Sequence, residues 1–357
     1  MRMSDILRGG GEWGKEEKKT LFPIEKRPLE PLPPPKAPPA PLQMRPKEPE
    51  GPPKVPAEVL YNALLDFVKT KLFIESPTPR EVTAKEIQTR IEPLLDRLAD
   101  ETGELMYLAV TRSTPEYYLH AHAVNVTILS LRLGVALGYG REELLTLGMG
   151  ALLHDIGMIK VINLAQKKEL LTSEERRTIE QHTRYSVDIL KEIKDLSSAS
   201  LEIAETAHER INGTGYPQGI GGSQLSEAAQ IVAITDVYEA LTHSRSYRDK
   251  LLPYEALKEI LKTKELFHPK VLKTFVQYIT VYPIGCWVEL STGEIGQVVN
   301  VSTDLPLRPN LKIMYDHQLR PVSPEKLLDL KKHSTLYIKR VLDERELQRK
   351  KERGFGG

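Results

Sequence analysis

The segment HAHAVNVTILSLRLGVAL, residues 120–137, is apolar around nearly the whole circumference of a helix. It carries two apolar stripes at helical spacing, namely Val124, Ile128, Leu131 and Val135 on one side and Val126, Leu129 and Leu133 on the other. A helix that is apolar on all sides has to be covered on all sides by other elements. The segment therefore predicts the central, buried helix of a helical domain.

The sequence around this segment keeps a helical pattern from residue 116 to residue 281. Gly157 is the expected C-terminal cap of a helix over 142–156. A capping box at 172–175 precedes a helix that runs to about Ile193. Ser226 is the expected N-terminal cap of a helix that ends at Thr242. Each of these helices is expected to pack on or near the central helix.

Composition changes sharply outside the helical stretch. Fourteen of the 26 prolines fall between Pro23 and Pro56, which favours an extended or disordered segment. After residue 283 the apolar period changes to that of strands, over 286–290, 295–301 and 310–315. The predicted fold is mostly α, with a proline-rich arm over 1–56, a small helical module over 57–115, a helical bundle over 116–281, a small β module over 282–330 and a charged tail over 331–357.

Charge and cysteine content exclude several classes of protein. The chain of 357 residues has 50 Lys and Arg against 49 Asp and Glu, and this balance argues against a DNA-binding protein that works by overall charge. The single cysteine, Cys286, excludes a disulfide framework and a cysteine-cluster zinc site. No apolar run approaches the roughly 18 residues of a membrane helix, and the N-terminus lacks the apolar core of a secretory signal. The cytoplasm is therefore the expected compartment.

Successive helices of the predicted bundle each carry a side chain that could bind a metal ion. These side chains are His122 on the central helix, His154 and Asp155 at the end of the next, His182 on the third, His208 at the end of the fourth and Asp236 on the fifth. Asp236 follows an apolar run, where burial of a lone carboxylate would be unfavourable. Imidazole together with carboxylate suits Fe, Mn, Zn and similar ions.

Each of these residues taken alone has a simpler explanation. A buried histidine is often just hydrogen-bonded in the core, Asp155 could form an ion pair at a helix end, and Asp236 could pair with a buried arginine. His120 lies about 200° around the helix from His122, so it is expected at the surface or in a supporting position. Because five helical segments would each need a separate explanation, the sequence favours a metal centre.

The motifs in this region resemble those of the HD-GYP family. The matching stretches are 122–126 (HAVNV), 154–157 (HDIG), 171–175 with 179–182 (LTSEE and IEQH), 208–217 (HERINGTGYP), 231–242 (IVAITDVYEALT) and 245–248 (RSYR). HD-GYP proteins are metal-dependent phosphodiesterases that hydrolyse the bacterial messenger cyclic di-GMP, within the wider HD phosphohydrolase superfamily. The resemblance covers residues 116–281, and the segment from Pro283 to Leu330 is similar to a β extension found after some such domains.

The resemblance implies an HD-type helical bundle with two divalent metal ions, most typically Fe or Mn, that share Asp155. His122, His154 and Asp236 would complete one site, and His182 and His208 would complete the other. His154 and Asp155 would be the catalytic core. Cyclic di-GMP or a related cyclic dinucleotide would bind through its phosphates to Arg245 and Arg248 and would border the loop residues Gly215, Tyr216 and Pro217.

Four positions depart from the family pattern. Ala207 replaces the first of two adjacent histidines, which weakens the second metal site, and Met158 replaces a lysine thought to meet the substrate phosphate. Asn212 stands where an aspartate is usual, and Tyr118 stands where some members carry a glutamate that supports a third metal. The sequence therefore predicts at most two metal ions.

Three functions stay open from the sequence. The first is hydrolysis of cyclic di-GMP, and the second is hydrolysis of another cyclic dinucleotide or nucleotide. The third is a degenerate domain without turnover that acts as an adaptor, binding the messenger or a protein. The proline-rich arm and the β module are the candidate surfaces for a protein partner.

Overall fold

The computed structural model describes residues 55–74, 82–98, 103–112, 118–167, 169–243, 250–279, 282, 284–301, 305, 307–342 and 346–348. Nearly all of the proline-rich arm lies outside the described residues, so its extended conformation stays a prediction. The helices are α1 (Ala57–Phe67), α2 (Ala84–Leu98), α3 (Glu104–Thr111), α4 (Tyr118–Leu137), α5 (Arg141–Leu153), α6 (Ile162–Ala165), α7 (Ser173–Glu180), α8 (His182–Leu190), α9 (Ser198–Thr206), α10 (Glu227–Thr242), α11 (Pro253–Lys262) and α12 (Pro269–Tyr278).

The central position predicted for the apolar segment is confirmed. Helix α4 is buried along most of its length, with Val124, Ile128 and Leu131 fully covered. It packs against α5 and α10 and also touches α3 and α12. Helices α4 and α10 carry His122 and Asp236, and His154 directly follows the end of α5. The packing around α4 therefore brings these polar side chains together inside an apolar core.

Helix α5 ends earlier than the sequence predicted, and Gly157 is not its C-terminal cap. The helix stops at Leu153, and Gly157 lies in the tight helical turn Ile156–Lys160 that follows. A Cβ atom at Gly157 would lie 2.1 Å from the backbone oxygen of His182 and 2.4 Å from the backbone nitrogen of Ser186. Glycine is therefore required by the close approach of this turn to α8.

The two N-terminal capping signals read from the sequence, at Thr172 and Ser226, are confirmed. Thr172 Oγ1 accepts a hydrogen bond from the backbone N–H of Glu175 over 3.1 Å, and the Glu175 carboxylate accepts one from the N–H of Thr172 over 2.8 Å. Ser226 caps α10 by accepting from the N–H of Ala229. The predicted helix after Thr172 is divided at Gln181 into α7 and α8.

The β module is larger than the three strands predicted from sequence. It is one antiparallel sheet of five strands in the order β4-β3-β2-β1-β5, with β1 Trp287–Leu290, β2 Ile295–Asn300, β3 Asn310–Tyr315, β4 Pro321–Asp329 and β5 Ile338–Leu342. The predicted end of the β module at residue 330 is therefore wrong, because β5 lies within the range 331–357 that was assigned to a charged tail. Strand β4 is an edge strand with two prolines and mostly exposed side chains, so it lacks a strand signal, and β5 is short.

The apolar core continues from the helices into the sheet. Val288, Leu290 and Leu311 of the sheet belong to the same buried cluster as the core of α4 and α5. Within the described part of the chain, the structure contains no helix with the length and apolar character needed to cross a lipid bilayer.

Candidate metal centre

Five helical segments bring six polar side chains into one buried group. This group, called the His/Asp cluster below, consists of His122, His154, Asp155, His182, His208 and Asp236. Each of these residues is at most 4% exposed. The predicted ligands, which are spread over more than a hundred positions of sequence, therefore lie together in the folded chain.

Asp155 lies at the centre of the His/Asp cluster. Its Oδ1 atom is 3.0 Å from His208 Nε2 and 3.1 Å from His182 Nε2. The same oxygen is 3.6 Å from His154 Nε2, and Oδ2 is 3.5 Å from His122 Nε2. One carboxylate thus faces four imidazole rings, which is the arrangement expected of a ligand shared between two cations.

The cluster divides into two groups of potential ligand atoms. In the first group, His122, His154 and Asp155 converge within 4.8 Å, and Asp236 Oδ1 lies 3.3 Å from His122 Nε2. In the second group, Asp155 converges with His182 and His208. The Nε2 atoms of these two histidines are only 2.9 Å apart. Among the described residues, this second group has one candidate ligand fewer than the first.

Backbone carbonyls set the orientation of two of the rings. His154 Nδ1 lies 2.7 Å from the carbonyl oxygen of Ala151, and His182 Nδ1 lies 2.7 Å from that of Ile179. A carbonyl oxygen can only accept, so each Nδ1 carries the proton and donates it. The Nε2 lone pair then points into the cluster, and this is the tautomer that binds a metal.

Several buried polar atoms of the cluster are not satisfied by the protein. Within the described residues, Asp236 Oδ1 and Oδ2 and His154 Nε2 make no hydrogen bond of normal geometry. Such atoms are unfavourable in a protein interior unless a ligand completes them. Nitrogen lone pairs next to carboxylate oxygens suit a divalent cation, so the donor set fits the metal site that the sequence predicted.

The two carboxylates titrate at low pH. Burial raises the pKa of Asp155, but its electrostatic interaction with His154 and hydrogen bonds from His182 and His208 outweigh burial and hold the pKa well below its usual range. Burial also raises the pKa of Asp236, and contacts with His122 and His208 again reverse the effect. Both carboxylates are therefore ionised at neutral pH and available as ligands.

The surroundings shift the pKa values of His154 and His208 in opposite directions. Burial lowers the pKa of His154, which keeps its ring neutral. Burial also lowers the pKa of His208, but its contacts with Asp155 and Asp236 more than compensate and raise it to about 9. In the metal-free chain His208 thus carries a proton that a bound metal would have to displace.

The HERINGTGYP loop folds back over the second group. A Cβ at Gly215 would lie 2.4 Å from the Cα of Glu209, so this position has no room for a larger residue. Tyr216 is half-buried and stacks on His208, with the ring centroids 5.0 Å apart. Pro217 is exposed beside it. Of the three residues assigned to the substrate wall, Tyr216 thus contacts a candidate metal ligand directly.

Glu209 fixes this loop in place. Its buried Oε1 accepts hydrogen bonds from the backbone N–H groups of Gln218 and Gly219, at 2.7 and 3.0 Å. Burial raises the pKa of Glu209, although these two hydrogen bonds oppose the effect. A side chain inside the motif thus closes the loop on itself.

Sequence reasoning missed the part played by Glu239. This residue is 2% exposed, and its Oε2 contacts His122 Nδ1. Glu239 follows Asp236 by three residues on the same helix, so the two carboxylates lie on the same face. In the sequence alone it could not be told from a solvated helix position.

The four departures from the family pattern lie in different surroundings. Ala207 is fully buried in the apolar core, and Met158 is also buried there. Tyr118 packs in the same core, whereas Asn212 is exposed and its Oδ1 accepts from the backbone N–H of Thr214. Lys160, which follows Met158 by two residues, is exposed. His120, expected outside the cluster, is partly exposed and packs edge-on against Phe73.

The two arginines assigned to the substrate phosphates, Arg245 and Arg248, lie outside the described residues. The end of α10 at Thr242 and the buried His243 are the last described positions before them. Their role stays a prediction from sequence.

Comparison with known proteins finds two families in the chain. Residues 94–271 match the family described as HD domain. Residues 287–350 match the family described as KOW domain associated with HD domain, and this range contains all five strands of the sheet.

The chain is also similar to bacterial phosphodiesterases. It is 30% identical over 222 residues to cyclic di-GMP phosphodiesterase PA4108 of Pseudomonas aeruginosa, covering 62% of this chain and 54% of that protein. It is 25% identical over 254 residues to cyclic di-GMP phosphodiesterase PdeB of Borreliella burgdorferi, covering 68% and 65%. It is 28% identical over 222 residues to 3'3'-cGAMP-specific phosphodiesterase 2 of Vibrio cholerae, covering 61% and 38%. The matches thus span less than two thirds of each relative.

Among solved structures, Bd1817, a HDG"Y"P protein from Bdellovibrio bacteriovorus, matches 61% of this chain and 70% of its own, with 17% identity and a TM-score of 0.49. The family match over residues 94–271, the His/Asp cluster and the HERINGTGYP loop agree with one another. The chain therefore belongs to the HD domain family, as a member of the HD-GYP type with a KOW domain after the HD domain.

Proposed function

We propose that this chain is a metal-dependent phosphodiesterase that hydrolyses cyclic di-GMP. The observation that carries the proposal is Asp155, whose single carboxylate faces two buried groups of imidazole nitrogens. A buried, ionised and shared carboxylate is typical of a centre for two divalent cations. The names of the relatives support the substrate, because they are phosphodiesterases of cyclic di-GMP or of 3'3'-cGAMP.

His122, His154, Asp155 and Asp236 would hold one cation, and Asp155, His182 and His208 would hold the other. Fe and Mn are the proposed ions, since both accept imidazole and carboxylate ligands. Two bound cations would make a water molecule acidic enough to act as a nucleophile at phosphorus and would stabilise the developing charge.

The chain's own residues would prepare this chemistry. The carbonyls of Ala151 and Ile179 keep the Nε2 lone pairs of His154 and His182 directed into the cluster. Arg245 and Arg248 are the proposed phosphate ligands, because a guanidinium donates two parallel hydrogen bonds to an anion. Tyr216, Gly215 and Pro217 would form one wall of the substrate site. The proposed compartment is the cytoplasm, and a protein partner at the proline-rich arm or β module stays a prediction.

Hydrolysis can be tested directly. Metal-free protein would be loaded with Mn²⁺ or Fe²⁺, incubated with cyclic di-GMP and, separately, with 3'3'-cGAMP, and the products separated by liquid chromatography. Asp155→Asn and His154→Ala should abolish both metal binding and turnover while helical content is kept. Asp188→Asn is the matched control, because Asp188 is an exposed carboxylate on α8. Turnover by Asp155→Asn equal to the unaltered chain would refute the proposal.

A second candidate function is binding of the messenger without turnover. It is favoured by Ala207 and Met158, which place apolar side chains in the core at two positions where the family has polar ones. Calorimetry of cyclic di-GMP with the metal-loaded chain separates the two functions. Binding of cyclic di-GMP without product formation, with either Mn²⁺ or Fe²⁺ loaded, would identify an adaptor. Product formation would exclude that function.

A further inference from the structure

A buried chain of hydrogen bonds connects helix α1 with His122. The Tyr61 hydroxyl donates to Asn125 Oδ1 over 2.9 Å, and Asn125 Nδ2 donates to Glu239 Oε1 over 2.9 Å. Glu239 Oε2 in turn contacts His122 Nδ1. Tyr61, Asn125 and Glu239, called the relay below, are each no more than 2% exposed. The relay therefore spans three helices without contact with solvent.

The direction of each hydrogen bond in the relay is determined by its neighbours. Asn125 Nδ2 also donates to the backbone oxygen of Arg112 over 3.1 Å, so both amide hydrogens face acceptors and Oδ1 faces the Tyr61 hydroxyl. The Glu239 carboxylate then receives Asn125 on one oxygen and the Nδ1–H of His122 on the other. His122 consequently keeps its Nε2 lone pair on the side of Asp155 and Asp236, at 3.5 and 3.3 Å.

A purely structural role is the ordinary explanation of such a network, since buried polar groups need partners wherever they occur. Two features distinguish the relay from that case. It ends on the ring of a candidate metal ligand, and it fixes the tautomer of that ring. A carboxylate that accepts from the distal nitrogen of a metal-bound histidine raises the basicity of the ligand and holds its orientation.

We propose that Tyr61, Asn125 and Glu239 are positioning residues for His122, so that helix α1 completes the metal site. This inference rests on the proposed metal-dependent function. Helix α1 lies outside the HD domain match of residues 94–271. The first metal group thus depends on a part of the chain that the HD domain itself does not include.

Arg112 ties helix α1 to the relay. Its guanidinium pairs with Glu58 and donates to Asn62 Oδ1 over 3.0 Å, both on α1, and it lies 5.8 Å from the centre of the Tyr61 ring. Its backbone oxygen is the acceptor that orients Asn125. A displacement of α1 would therefore remove the Tyr61 donor from the relay.

The test is a calorimetric titration of the full, metal-free chain with Mn²⁺. His122→Ala identifies the binding step that belongs to the His122 group. Glu239→Gln should weaken that step about 10- to 100-fold, as expected for loss of a partner of a ligand histidine. Tyr61→Phe should weaken it about two- to tenfold, the effect of one buried hydrogen bond. The binding step of the His182 and His208 group should stay unchanged in both variants.

Tyr238→Phe is the matched control, because this variant also removes a buried tyrosine hydroxyl. Tyr238 lies on α10 like Glu239, its hydroxyl has no hydrogen-bond partner among the described residues, and it packs on Phe275. The control should bind Mn²⁺ like the unaltered chain, and circular dichroism verifies that each variant is folded.

The outcomes separate the two proposals. Selective weakening of the His122 step supports the relay, whereas equal weakening of both steps indicates a merely structural role. If both Mn²⁺-binding steps are unchanged in Glu239→Gln and Tyr61→Phe, the proposed role of the relay is refuted and the proposed function is unaffected. If the unaltered chain binds no Mn²⁺ or Fe²⁺, the metal-dependent function fails, and with it the relay.

Discussion

The ring of Tyr216 lies nearly parallel to the imidazole of His208, with an angle of 9° between the two planes and 5.0 Å between their centroids. Within the described part of the chain, His208 is one of three ligand candidates in the second group. The stack therefore supports a ring whose orientation matters more than it would in a group with four ligands.

Replacement of Tyr216 separates the contribution of the ring from that of the hydroxyl. An aromatic pair contributes about 0.5–1.5 kcal/mol beyond its buried area. We expect Tyr216→Phe to keep metal affinity at the second group and Tyr216→Leu to lower it about two- to tenfold. Equilibrium dialysis against Mn²⁺, followed by elemental analysis, measures the effect. Equal affinity in the two variants would show that the stack does not orient His208.

Ala207→His restores the histidine that the family pattern contains. The change should strengthen Mn²⁺ binding at the second group, since an added imidazole supplies the missing ligand. Ala207 is fully buried, so the larger side chain should also destabilise the fold by about 1–3 kcal/mol in the metal-free state.

Ala204→His provides the control for this gain. Ala204 is an equally buried alanine on α9, one turn earlier. The Ala204→His variant should lose stability without any gain in metal affinity, as measured by thermal melting and dialysis. If Ala207→His also loses stability without gaining metal affinity, the missing histidine at position 207 is not what limits Mn²⁺ binding at the second group.

Metal uptake should depend on pH through His208. Its pKa is raised to about 9, so the folded, metal-free chain holds a proton there at neutral pH. Because the proton must leave before Nε2 can bind a cation, apparent affinity at the second group should rise with pH and level off near pH 9. A calorimetric series between pH 6.5 and 9.5 checks this. Affinity that falls with pH over this range would contradict the assignment.

The same pKa shift predicts the stability of the metal-free fold. A group whose pKa is higher in the folded than in the unfolded state stabilises the fold below its unfolded value. The contribution of His208 should be complete below about pH 6.5 and should be lost as the pH rises toward 9. Urea unfolding at several pH values measures the trend, and saturating Mn²⁺ should remove it.

Gly157→Ala should be among the most damaging single changes in the helical bundle. The added methyl would lie 2.1 Å from the His182 backbone oxygen, so the turn Ile156–Lys160 and α8 would have to separate. We expect loss of several kcal/mol of stability together with weaker metal binding at the second group. Gly140→Ala is the control, because the nearest atom to its added Cβ is a Glu143 oxygen at 3.6 Å. A melting temperature for Gly157→Ala equal to that of Gly140→Ala would contradict this account.

The sequence predicted the components of the cluster better than their connections. His122, His154 and Asp236 could be recognised because residue type, helical spacing and order along the chain all carry information. The partner of His122 could not be recognised in this way, since Glu239 lies on a different helix, 117 residues further along the chain. Gly157 was misread for the same reason, because only the folded chain shows which backbone it approaches. Strand β4 was missed because its edge position removes the alternation of apolar residues that marks a strand.

The order of the strands has a consequence for synthesis of the protein. Strand β1 pairs on one side with β5, whose residues Ile338–Leu342 leave the ribosome about fifty residues after it. Until then β1 is an open edge that exposes backbone donors and acceptors beside apolar side chains such as Val288. Open edges of this kind pair readily with other chains. A nascent or truncated chain that ends before Ile338 should therefore be the species most prone to aggregate or to recruit a chaperone.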